Sequence, residues 1–109
     1  MANRFKLKTK ANVGVTTVGI YTAPAATTTV VIGITMANTS GSGVNVGVGI
    51  TRAGTTEDVK LLKNAPIPQG SSLEFMGGNK VVLVETDTVT VDSDTNNSVD
   101  AALTIMEIT

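Results

Sequence analysis

From Thr28 the chain reads TTVVIGITMAN, with apolar residues at every second place: Val30, Ile32, Ile34 and Met36 on one side, Val31, Gly33, Thr35 and Ala37 on the other. A period of two is that of a β-strand with one buried face. GVNVGVGIT repeats the pattern through Val44, Val46, Val48 and Ile50. Residues 38–43, NTSGSG, are turn chemistry, so the two strands are expected to form a hairpin or an arch from one sheet to another. Gly47 and Gly49 stand opposite the buried set, where a missing side chain lets a neighbour come close.

The same reading extends along the chain. Residues 12–22, NVGVTTVGIYT, predict a strand, and APAATT a turn after it. VKLLKN predicts a short strand with Val59 and Leu61 inward. NAPIPQGSSLEFMGGNKVVL places two prolines and three glycines around short apolar runs, which excludes a helix. Its Pro-x-Pro part is extended but lacks the amides that a central strand donates, SSLEF puts Leu73 and Phe75 on one face, and MGG is expected to reverse the chain. KVVLVE and DTVTVD follow, joined by residues 85–87 as a tight turn, a bulge or a change of sheet. The last segment, SVDAALTIMEI, sets Val99, Ala101, Leu103 and Ile105 on one face.

Seven or eight short strands without a helical period define an all-β chain, an antiparallel β-sandwich with jelly-roll or immunoglobulin-like strand order. Composition agrees: Thr, Val and Ile make up 40 of the 109 residues, the β-branched class that suits a pleated surface. The length fits one core. Residues 12–109 are read as a single sandwich domain and residues 1–11 as a basic N-terminal arm.

Charge sharpens that division. Arg4, Lys6, Lys8 and Lys10 are four of the eight cations, no Lys or Arg follows Lys80, and six of the nine acids lie between Glu85 and Glu107. Arg4, Phe5, Lys6, Lys8 and Lys10 are therefore the candidate partner-binding residues. The arm alternates as a strand would, so it is expected either to add to a neighbour's sheet or to stay disordered. Four cations without aromatic stacking partners make a poor nucleic-acid site, and nucleic acid is not expected as a partner. MANRFKLKTK lacks the apolar stretch of a signal peptide, and no apolar run is long enough to span a membrane, so no membrane partner is expected.

The inventory excludes much chemistry. With no His and no Cys there is no His-based triad, no thiolate nucleophile and no disulfide, and no cofactor is expected. The acids carry no sign of a paired general acid and base. Asp92, Asp94, Asn96, Ser98 and Asp100 place oxygens at alternate positions and form a calcium candidate. An EF-hand loop counted from Asp92 would need Gly and Glu where this chain has Asn97 and Leu103. GSGVNVGVG lacks the Lys-Ser/Thr of a phosphate loop. Sugar faces are scarce: the aromatic residues are Phe5, Tyr21 and Phe75, and the latter two are read as core.

Four stretches taken in order, the basic arm, YTAPAATTTVVIGITMANTSGS, LLKNAPIPQGSSLEFMGGNKVVLVETDTVTV and SVDAALTIMEIT, together resemble the small virion structural proteins of tailed bacteriophages, especially of phages that infect cyanobacteria. The resemblance implies a non-enzymatic β-sandwich of a virus particle, made in the host cytoplasm, with no catalytic residues to carry over. It implies a head decoration or cement protein that bridges capsid subunits, or else a neck, tail, baseplate or fibre accessory component; a host-binding adhesin domain is the third reading. The chain has no coiled-coil heptads or fibre repeats. The expected partners are copies of itself, as a trimer, and the major capsid protein or other virion subunits.

Overall fold

The computed structural model describes residues 3–52, 54, 57–75 and 80–109. The strands are β1 (Asn3–Val13), β2 (Val18–Thr22), β3 (Thr28–Asn38), β4 (Val44–Arg52), β5 (Glu57–Ile67), β6 (Ser72–Phe75), β7 (Val81–Leu83), β8 (Asp87–Ser93) and β9 (Val99–Ile108). There is no helix among the described residues. One sheet runs β1-β9-β3, with β6 and β7 both on the outer edge of β3; the other runs β2-β8-β4-β5. All pairings are antiparallel.

β6 pairs with Ile34–Ala37 and β7 with Thr29–Val31, both in the same direction, so they act as one interrupted strand. Counted that way, each strand pairs with its counterpart from the other end of the chain: β1 with β9, β2 with β8, β3 with β6 and β7, β4 with β5. That is a long antiparallel hairpin rolled into two sheets, a jelly roll, and it decides between the two strand orders left open by the alternation. The reversal expected at MGG falls outside the described residues, and the strands on either side of it run the same way.

The inner faces follow the alternation. Val44, Val46, Val48 and Ile50 of β4 and Val99, Ala101, Leu103 and Ile105 of β9 are all buried, with Val89 and Val91 of β8 beside the β4 set. Residues 38–43 form the arch from one sheet to the other. Leu83 and Asp87 lie in different sheets, so residues 84–86 are a change of sheet. Asp87 closes that corner: one carboxylate oxygen accepts from the Val84 amide at 3.1 Å and the other lies 3.4 Å from Arg52 Nε.

Four expectations need correction. Residues 12–22 are not one strand, because the chain leaves the first sheet after Val13 and enters the second at Val18. Residues 3–11 belong to β1, hydrogen-bonded to β9 from Asn3 to Lys10, because their alternation matches the open edge of that strand. In β3 the buried face is not Val30-Ile32-Ile34-Met36. Val31 pairs with Ile105 and Gly33 with Thr104, so Ile32 is an extra residue in a bulge, and the inward side switches from Thr29 and Val31 to Ile34 and Met36. In β5, two register slips set Leu62 opposite Val48, so that Leu61 and Leu62 are both partly buried against the core, while Val59, opposite Ile50, is 40% exposed. Pro66 is accommodated because β5 is an edge strand.

The glycines of β4 allow close approach, as read from the sequence. A Cβ at Gly47 would lie 2.5 Å from Asp92 Oδ1; one at Gly49 would lie 2.9 Å from the Val59 carbonyl oxygen and 3.1 Å from Thr90 Oγ1. Backbone does not yield as a side-chain tip does. Gly49→Ala is therefore expected to lower unfolding free energy by about 1–3 kcal/mol, read from the urea midpoint. Gly41→Ala, with nothing within 4 Å of the added carbon, should change it by less than about 0.5 kcal/mol.

Candidate interaction surface

β1 is the edge of the first sheet, and its two faces differ. Arg4, Lys6, Lys8 and Lys10 pair with Glu107, Ile105, Leu103 and Ala101 of β9 and share their inward side; Phe5, Leu7 and Thr9 pair with Met106, Thr104 and Ala102 and face outward. Inward-pointing charges on an edge strand hinder addition of a further strand. The basic residues thus fringe the opening between the sheets, and Phe5 stands on the other side of the strand from them.

Lys6 has an internal partner. Its Nζ lies 2.9 Å from Glu107 Oε1, and Glu107 Oε2 accepts from the Tyr21 hydroxyl at 2.6 Å. Tyr21 is 2.7 Å from Thr29 Oγ1, which donates in turn. The chain of contacts ties β1, β9 and β3 of one sheet to β2 of the other, and no buried side-chain polar atom among the described residues lacks a partner. Tyr21 is buried, as read from the sequence; Phe75 is half-buried and packs against the core.

The Glu107 carboxyl is held below its ordinary value, first by the Tyr21 hydrogen bond and then by that of Lys6. Tyr21 is pushed up to about 12, by burial first and then by its bond to Glu107.

The residues of the calcium candidate point to separate partners. Asp92 accepts from Thr17 Oγ1 at 2.9 Å and lies 3.8 Å from Lys60 Nζ. Asp94 takes the Asn45 amide, Asn96 the Val15 amide and Asp100 the Asn12 amide, at 3.1, 3.4 and 3.0 Å. Ser98 is buried against Ser93 and the Thr95 carbonyl. These side chains pin the β8–β9 connection to the β1–β2 connection and to β4. Among the described residues no three His, Cys, Asp or Glu side chains gather as metal ligands would.

The outer face of the first sheet is different in kind. Phe5, Met106, Val30 and Val82 form one registered row across β1, β9, β3 and β7. Phe5 is 71%, Leu7 63% and Val82 59% exposed. Ile32, turned out by its bulge, and Ile108 extend the row. Among the outward positions of β1, β9 and β3 the only charged residue is Asp100, at one end. An apolar patch of several hundred Å² marks an interaction site. The bulge hid Val30 and Ile32 from sequence reading. The run VVLV at 81–84 was the available signal, since a strand apolar at successive positions is covered on both faces.

No protein-family model and no curated protein matches the sequence. Solved structures share the fold. A protein of the T13 IBDV viral particle matches with a TM-score of 0.58 at 13% identity over 96% of this chain, which spans only 30% of that protein's length. A protein of the Helicobacter pylori bacteriophage KHP30 capsid structure matches with a TM-score of 0.59 at 10% identity, over 98% of this chain and 87% of its own. A protein of Bacillus endospore appendages, which are disulfide-linked pili, matches with a TM-score of 0.58 at 16% identity, over 99% and 87%. At these identities the likeness is one of fold.

The buried network predicts a pH profile. Glu107 stabilises fully above the ordinary carboxylate range and loses that contribution as pH falls through its lowered value; Tyr21 does so below about pH 10 and loses it as pH rises through about 12. Urea midpoints across pH should fall at both extremes, and Glu107→Gln should flatten the acid limb. Tyr21→Phe leaves the buried Glu107 and Thr29 without their shared partner and should cost about 1–3 kcal/mol at neutral pH.

Proposed function

We propose that this chain is a non-enzymatic structural subunit of a bacteriophage virion, and that it decorates the head, bridging capsid subunits as a cement protein. The observation that carries the reading is the largely apolar outer face of a small jelly roll, with Asp100 at one end and Glu74 at the β6 edge as its outward charges among the described residues, a surface suited to burial against another protein. The likeness to a protein of comparable length in the KHP30 capsid structure supports it. The endospore-appendage likeness offers less, because a chain without cysteine cannot form the disulfide links of those pili.

In this function Arg4, Lys8 and Lys10, on the margin of the first sheet, suit an acidic surface of the shell, while the apolar outer face with Phe5 and Leu7 is left for a neighbouring subunit. Three copies around a threefold position would each bring this basic margin to the shell. Many modest contacts repeated by symmetry then resist outward pressure on the shell. Nothing in this mechanism calls for a cofactor.

Quantitative mass spectrometry of purified particles tests the assignment. Copies on the order of hundreds per particle follow icosahedral symmetry and are the expected result. Roughly six to a few dozen would move the chain to the neck or tail, and its absence from the particle would end the virion reading. Lys8→Glu and Lys10→Glu together should reduce occupancy on the shell at least tenfold while leaving the circular dichroism of the isolated chain unchanged.

A further inference from the structure

The outer face of the β1-β9-β3 sheet has two unlike ends. One carries the row Phe5, Met106, Val30 and Val82. The other is a hollow of about 350 Å³, lined by Thr9, Ala11, Ala102, Thr35 and Ala37 with Asp100 at its rim. Bulk stands at one end and small side chains at the other, on the same three strands. Thr104 of β9 lies midway between Met106 and Ala102.

We propose that this face pairs with the same face of a second copy of the chain about a two-fold axis passing near Thr104. Rotation about an axis lying in the interface and crossing the strands sets each strand over its own counterpart running the opposite way. Met106 then faces the region of Ala102, Val30 that of Thr35 and Ala37, and Phe5 that of Thr9 and Ala11. The reciprocal contacts form at the other end, as an isologous interface requires. A partner of different shape would use the row or the hollow; a second copy fills both.

The dimensions agree. Four strands at ~4.8 Å spacing and eleven residues at ~3.3 Å rise give a face of roughly 700 Å², close to the ~800 Å² that each partner contributes to a stable interface. The rotation brings no like charges together: the outward charges of the face, Asp100 on β9 and Glu74 on β6 opposite Thr35, come to lie over uncharged positions of the other copy, and Glu74 stands at the outer edge where solvent reaches it. The edges direct association to the same place: Pro66 and two register slips interrupt β5, β2 is five residues long, and β1 turns its cations inward. The pairing joins two copies whether or not each also belongs to a ring, and its test is independent of the place on the particle.

Phe5→Lys and Ala102→Glu, each alone, should halve the mass of the purified chain in sedimentation at about 100 µM, since each puts an unpaired charge into the interface. Both positions reach solvent, so circular dichroism should stay unchanged. The two substitutions in one chain should restore the original mass, because the rotation sets the row of one copy against the hollow of the other. An unchanged mass in either single variant overturns the pairing, and so does failure of the double variant to recover. A parent chain that sediments as a monomer, with the single variants failing instead to attach to the shell, assigns the face to another subunit and overturns it as well.

Discussion

The position of β9 between β1 and β3 is the constraint on which this sandwich depends. Its inward Val99, Leu103 and Ile105 are wholly buried, each side chain contributing about 1.5–3 kcal/mol of burial. Its Glu107 holds Lys6 of the same sheet and, through Tyr21, joins that sheet to the other. Its outward Ala102, Thr104 and Met106 form the middle of the exposed face. One strand thus sets the core, the link between layers and the surface, and its alternation keeps the three apart.

The surface reflects a division between edges and faces. Exposed strand edges invite indiscriminate pairing, and those of this chain are short, bulged or flanked by charge. A flat face selects by shape, which edge pairing does not. A jelly roll by itself says nothing of function, since the same fold appears in the viral and endospore-appendage proteins similar to this one. What sets this chain apart is the set of side chains it displays on that fold.

Much of the fold was legible because period-two alternation is a direct image of the pleat. The buried sets of β4 and β9 could be read off the sequence, as could the close approach at Gly47 and Gly49. What was lost has one cause. A bulge adds a residue to one strand relative to its partner, and nothing in TTVVIGITMAN announces that Ile32 is that residue. The partner strand decides it. The same blindness left the apolar row unseen, because Val30 reads as core in sequence and stands outside in the fold. Conversely, the alternating oxygens from Asp92 to Asp100 suggested one shared ion, whereas Asp94, Asn96 and Asp100 each take a different backbone amide, Asp92 takes the Thr17 hydroxyl and Ser98 bonds Ser93.

The pairing of first strand with last also sets a timetable. Asn3 is matched with Ile108, so during synthesis β1 waits until nearly the whole of this sequence has been made before its neighbour exists. At usual elongation rates that wait is about 5–20 s, long compared with the microseconds in which a hairpin such as β4-β5 forms. Through that interval the alternating lysines keep the waiting strand charged, which hinders its pairing with other chains before β9 exists.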